Sequence, residues 1–239
     1  HKRMAKEFGR IESDYKLRYN LNGSAKYLST YGQNRETLTE NKIYNLFKNF
    51  GYVVPQGSVM SSLGNKYKLA SLSNCIVVPE LIDSYGGVFY TDQQLAQLFK
   101  RRCGVGVDIS NLRPGGAKVS NAAGTTSGAV SFMNRFSNTT REVAQNGRRG
   151  ALMLSIDIAH PDVEDFVTIK QDLTKVTGAN VSVRLSDEFM KAVESDSDYT
   201  HKWPINSDKP KFTKTIKARD LWNTIISCAH TTAEPGLIF

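Results

Sequence analysis

Four short runs rich in β-branched and apolar residues, LASLSNCIVV (69–78), GVGVDIS (104–110), GALMLSIDI (150–158) and ANVSVRL (179–185), alternate with stretches of helical periodicity. This alternation constrains the chain more than its composition does. Consecutive strands joined through a helix must lie parallel in one sheet, so the pattern predicts an α/β fold with mainly parallel strands. Several runs are apolar at successive positions, which predicts a sheet covered by helices on both faces.

The intervening helices carry start signals. In TDQQLAQLFKRR (91–102), Thr91 and Gln94 have capping-box spacing; HPDVEDFVTIKQ (160–171) places Pro161 near its first turn. SGAVSFMNRFSNTTREVAQ (127–145), SDEFMKAVES (186–195) and ARDLWNTIISCAHTT (218–232) are also read as helices. The N-terminal 50 residues read as helical throughout, with Thr37 and Glu40 at capping-box spacing and Gly51 as a stop. The expected organisation is a helical segment over 1–50 and an α/β domain over 51–239. Residues 196–219 are polar and lysine-rich, as in an exposed hairpin or loop. The final EPGLIF (234–239) reads as a buried strand, which implies that more of the domain follows in a full protein.

A chain of 239 residues can bury a substantial core, and 40% hydrophobic with 23% charged residues is ordinary for a globular protein. No apolar run approaches membrane-span length, and the first residues lack a signal-peptide core, so a cytoplasmic location is expected. The net charge of +8 favours an anionic partner, either nucleic acid or a phosphorylated small molecule. Three cysteines without a C-x-x-C pair argue against a disulfide scaffold and a zinc site, and no metal is expected. By composition alone Cys75, Cys103 and Cys228 are buried core residues.

Arginine stands beside glycine three times, in KRRCG (100–104), LRPGG (112–116) and GRRG (147–150). Guanidinium forks bind phosphate oxygens and glycine lets backbone amides approach, so such loops suit a polyphosphate. GRRG also fits the G-x-x-G loop that grips RNA backbones, which keeps a basic nucleic-acid-binding module as the alternative. GVGVDI lacks the third glycine of a dinucleotide fingerprint and is read as a closely packed strand. Asp162 complements a helix dipole, and His160 is read as a capping or loop residue.

Taken in order, LSNCIVVP, DSYGGVF, KRRCGVGVDISNLRPGGAKV, the block from Ser127 to Phe166, TGANVSVRLSDEFM and AEPGLIF resemble the first half of the catalytic subunit of ribonucleotide reductases. The similarity runs over most of residues 40–239 and is nearest in flavour to the adenosylcobalamin-dependent, class II type. It implies the first half of a ten-stranded α/β barrel, preceded here by the short helical segment.

The resemblance also implies roles. Cys75 matches the barrel-strand thiol that, with a second cysteine on the other half-barrel, reduces the substrate radical and becomes a disulfide; this reverses the composition-based expectation. Ser58 and Asn74 are implied substrate contacts. Asp83 matches the residue binding the deoxyribose hydroxyl of a deoxynucleoside triphosphate effector. Arg113 matches the arginine on that effector's phosphates, and Lys100 another position lining the site. AQNGRRGA, with Arg148 and Arg149, matches a first specificity loop, and QDLTKVTGAN, with Gln171 and Lys175, a second. The implied partners are a ribonucleotide substrate, the effector, the second half-barrel, a thioredoxin-like reductant and a second copy in a homodimer, without nucleic acid or membrane. The radical cysteine of the family has no counterpart before Phe239, so this chain alone is expected to be inactive.

Overall fold

The computed structural model describes residues 1–21, 30–143 and 150–239, so Arg148 and Arg149 lie outside the described residues. The chain forms two compact units, His1–Asn74 and Cys75–Phe239.

The first unit is helical: α1 (Lys2–Leu21), α2 (Thr30–Asn34), α3 (Glu40–Phe47) and α4 (Gly57–Ser62). Met4 and Ala5 of α1 bury against Ile43 and Phe47 of α3 and Leu63. The capping box expected at Thr37 is displaced by two residues. Thr39 is extended and its Oγ accepts the Lys42 N–H at 3.3 Å, which makes Glu40 the first helical residue. Helix α3 ends at Phe47, and the short turn over Lys48–Phe50 that follows, with Asn49 and Phe50 at positive φ, is closed by the expected Gly51, whose N–H donates to the Lys48 carbonyl at 3.1 Å.

The second unit is the α/β part. Strands β1 (Cys75–Val77), β2 (Gly104–Asp108), β3 (Leu152–Asp157) and β4 (Asn180–Arg184) alternate with α5 (Tyr85–Phe99), α6 (Met133–Glu142) and α7 (Val163–Thr168). After α8 (Asp187–Glu194) come the strands β5 (Asp198–Trp203) and β6 (Phe212–Lys217), then α9 (Ala218–Thr232) and β7 (Gly236–Ile238). The five-stranded sheet has the order β1-β2-β3-β4-β7 and every pair is parallel. The α/β class read from the alternation is therefore the observed one, as an open sheet.

Among the described residues of this unit, the helices cover one face of that sheet. Val105, Val107, Leu154, Ile156, Val181 and Val183 are buried with the helices' Phe99, Phe136, Phe166 and Phe189. Each such side chain contributes roughly 1.5–3 kcal/mol by leaving water. Successive residues of a strand point to opposite faces, so the intervening positions define the other side: Cys75, Gly106, Asp108, Met153, Asp157, Asn180 and Arg184 are exposed or half-buried, while the small Ser155 and Ser182 between them are buried. The expectation of apolar burial on both faces is thus corrected. Glycine and short or charged side chains interrupt the runs with period two, leaving that face open.

Helix α5 begins six residues before Thr91, because Ser84 is extended and its Oγ accepts the Gly87 N–H at 3.0 Å; Thr91 is buried mid-helix. The strand expected over 69–78 contracts to three residues. The lysine-rich stretch is an antiparallel hairpin, yet its Tyr199 and His201 are buried. The strand expected at 234–239 is observed as β7, paired in parallel with β4.

Candidate functional site

The first site is built where β1 and β2 deliver the chain past the sheet. Asp83 precedes the cap of α5, and Arg113 follows β2 by five residues. Arg113 Nε and Nη2 each lie 2.7 Å from Asp83 Oδ2, while the Arg113 N–H donates to Oδ1 at 3.1 Å. The pair is partly buried, with side-chain exposures of 33% and 23%, so water screens it incompletely. Arg113 Nη1 also donates to the Lys118 carbonyl at 3.3 Å.

Both residues line a pocket of about 400 Å³. One wall is the first turn of α5, whose unpaired N–H groups and positive dipole end favour an anion. The opposite wall is a small antiparallel excursion between Gly116 and Thr126. It is held by Gly116 N–H to Thr126 O and Thr126 N–H to Ala117 O, both 3.0 Å, and turned at Asn121–Gly124. Ser120, Thr125, Thr126 and Ser127 give this wall hydroxyls. A guanidinium, a helix N-terminus and hydroxyls around one cavity can receive a phosphorylated polyol such as a nucleotide.

The turn after β3 supports that wall. His160 is fully buried, its Nε2 lies 2.8 Å from the Leu112 carbonyl, and its Nδ1 receives the Asp162 N–H at 3.0 Å. Nδ1 must accept, so the ring is neutral with the proton on Nε2, consistent with burial holding its pKa below the ordinary value. Asp162 accepts the Gly115 N–H at 2.9 Å on Oδ1 and the Ala129 N–H at 2.8 Å on Oδ2.

The second site is the open sheet face. Cys75 is exposed and stands in register with Gly104, which has no side chain to shield it. This overturns burial as the composition-based expectation for Cys75; Cys103 and Cys228 are buried as that expectation has it. Further along the same face, Arg184 Nη2 lies 2.9 Å from Asp157 Oδ2 and Nε 3.8 Å from Asp108 Oδ2, and Ser155 Oγ donates to Asp108 at 2.8 Å.

The remaining sequence-derived positions fall elsewhere. Lys100 caps the far end of the 15-residue α5, about 24 Å along the axis from Ser84, and does not line the pocket. Gln171 and Lys175 are exposed in the segment before β4, where Lys175 Nζ lies 3.7 Å from Asp172 and Gly178 N–H donates to Ser137 at 2.8 Å. They also stand away from the pocket lining. In the N-terminal unit, Ser58 and Asn74 meet: the Ser58 N–H donates to Asn74 Oδ1 at 2.9 Å, and the Asn74 amide bonds Gln56. The sequence reading passed over the 116–126 excursion and the clamping role of Asp162. The first has a signal in its run of Asn, Gly, Thr and Ser; the second depends on partners 33 and 47 residues away.

Residues 73–239 match the family model described as the ribonucleotide reductase barrel domain. The chain is 39% identical over 188 residues to a vitamin B12-dependent ribonucleoside-diphosphate reductase of Thermoplasma acidophilum, covering 78% of this chain and 24% of that protein. It is 36% identical over 173 residues to the enzyme so named in Mycobacterium tuberculosis H37Rv, covering 72% and 24%. It is 26% identical over 266 residues to the ribonucleoside-diphosphate reductase large chain 2 of Saccharomyces cerevisiae, covering 97% and 30%. The chain therefore spans about a quarter to a third of the length of these relatives.

Proposed function

Because this chain belongs to the ribonucleotide reductase barrel-domain family, we propose that it supplies the reducing thiol and the effector pocket of an enzyme converting ribonucleoside diphosphates to 2'-deoxyribonucleotides. The observation that carries the proposal is the exposed thiol of Cys75 on the open face of an all-parallel sheet. In the reaction, the 2'-hydroxyl leaves as water and hydrogen replaces it. The two electrons and two protons come from Cys75 and a second cysteine, which close into a disulfide. A thioredoxin-like protein then reopens it. The second cysteine belongs to the other half-barrel, which would cover the face where Val77 and Met153 now meet solvent.

Asp83 and Arg113 are assigned to a deoxynucleoside triphosphate effector: the carboxylate accepts a sugar hydroxyl and the guanidinium meets phosphate. Their mutual ion pair holds both in place before the ligand arrives, at the cost of partly neutralising the arginine. Ser58 and Asn74 are assigned to substrate, and a homodimer is the proposed assembly.

The B12-dependent relatives suggest adenosylcobalamin, which would generate the radical. The corrin carries its own four nitrogen ligands to cobalt, so it calls for a large cavity and not for a cluster of protein metal ligands, and its binding is assigned mainly to the part of the enzyme outside this chain.

The test is ribonucleotide reduction by the intact protein with a thioredoxin recycling system. Cys75→Ser is expected to abolish multiple turnover while leaving effector binding within twofold of wild type. Sustained turnover by that variant would refute the assignment.

A further inference from the structure

We infer that Asp162 is a positioning residue for the nucleotide pocket: its single carboxylate fastens both ends of the loop that forms the pocket wall. This deepens the effector reading given above and rests on it.

The loop from Gly115 to Ala129 leaves and re-enters the body of the domain at one point. Gly115 N–H reaches Asp162 Oδ1 at 2.9 Å and Oδ2 at 3.2 Å, and Ala129 N–H reaches Oδ2 at 2.8 Å. Two N–H groups, that of Gly115 shared between both oxygens, thus converge on a carboxylate only 9% exposed, where water competes poorly for these bonds. Asp162 therefore closes the neck of a loop that is otherwise zipped over 116–126 and tied down by Arg113 Nη1 on the Lys118 carbonyl, Ser127 Oγ on Ser131 Oγ and Ser131 Oγ on the Gly128 carbonyl.

Two further features show that this neck is close-fitting. Gly128 has φ +91°, and a Cβ there would stand 2.5 Å from Asp162 Oδ2 and 2.6 Å from Gly115 N. His160 adds a bond to the Leu112 carbonyl, just ahead of Arg113, and fixes the Asp162 backbone through Nδ1. The loop supplies Ser120, Thr125, Thr126 and Ser127 to the pocket and the Lys118 carbonyl to Arg113. None of these contacts requires Asp162 to touch the nucleotide. It acts through the loop, so its loss weakens binding by letting the wall move.

The experiment uses Asp162→Asn in the intact protein. An amide keeps the shape but turns one acceptor into a donor facing Gly115 or Ala129 N–H. The probe ligands are dATP, dTTP and dGTP, titrated calorimetrically, with amide hydrogen exchange followed over 115–129 without ligand. The expected result is roughly tenfold weaker binding of whichever triphosphate the wild type takes, together with faster exchange confined to that loop. Gly128→Ala, which spreads the same neck from the other side, should reproduce both effects and serves if Asp162→Asn does not fold. Unchanged affinity and unchanged loop exchange in a folded variant would overturn the inference. Faster exchange with unchanged affinity also counts against it, since the loop would then be held by Asp162 without serving the pocket. If wild type itself binds none of the three triphosphates, the pocket assignment fails, and loop exchange alone still decides whether Asp162 fastens the neck.

Discussion

The carboxylate of Asp83 receives both the guanidinium and the backbone N–H of Arg113, at 2.7 and 3.1 Å, so the two residues orient one another before any ligand is present. Asp83→Ala should cost about 1–2 kcal/mol of unfolding free energy, given the partial exposure of both side chains. It should also weaken binding of deoxynucleoside triphosphates, because the loss removes the acceptor assigned to the sugar hydroxyl and releases Arg113 from its orientation towards phosphate. Denaturant titration and calorimetric titration with the four deoxynucleoside triphosphates check the two parts.

Gly87 sets how closely α5 approaches the segment before it. A Cβ there would lie 2.3 Å from the Ile82 carbonyl oxygen and 2.6 Å from its Cβ. Gly87→Ala is expected to destabilise the domain by about 1–3 kcal/mol through overpacking, and to displace Asp83 one residue along from Ile82. Thermal unfolding should show the first effect and weakened nucleotide binding the second.

His201 carries a pH dependence. Its ring is fully buried on β5 with no hydrogen-bond partner for either nitrogen among the described residues, edge-on to Tyr199 at 5.7 Å, and near Glu164, Lys214 and His160. Burial lowers its pKa from 6.5 to about 4. The unfolded chain therefore takes up this proton first as pH falls. Stability from this group is undiminished above pH 6.5 and declines down to about pH 4, by up to about 3 kcal/mol. His201→Phe should flatten denaturation midpoints over that window; an unchanged slope would assign the acid sensitivity to other groups.

Native thiol labelling separates the cysteines. Cys75 is exposed, whereas Cys103 and Cys228 are buried. With iodoacetamide under native conditions, Cys75 should be alkylated first by a wide margin, and the other two only after denaturant is added. Equal rates for all three would place the β1 thiol somewhere other than the open face.

The α/β alternation was legible in the sequence because burial of one strand face leaves an unambiguous apolar repeat at Val105, Val107, Leu154, Ile156, Val181 and Val183. What misled was continuity. Met153 and Val77 extend the apolar runs onto the open face, so the strands read as covered on both sides. Helix starts were misread at Thr37 and Thr91 because capping-box spacing ignores backbone angle; Thr39 and Ser84 are the residues that are extended. The family resemblance assigned Asp83 and Arg113 to one effector, on its sugar and its phosphates, but their mutual ion pair became visible only in the structure. Asp162 was legible only as a helix-entrance acid, since its bonds reach across 33 and 47 residues and no local pattern encodes them.

The redox state of the Cys75 sulfur after turnover decides whether this thiol is the reductant. The intact protein, fully reduced and freed of external reductant, is allowed a single turnover of a ribonucleoside diphosphate, then alkylated and digested for mass spectrometry. Cys75 should be recovered in a disulfide in proportion to the deoxyribonucleotide formed. Recovery of alkylated Cys75 alongside a full equivalent of product would contradict its role as the reductant.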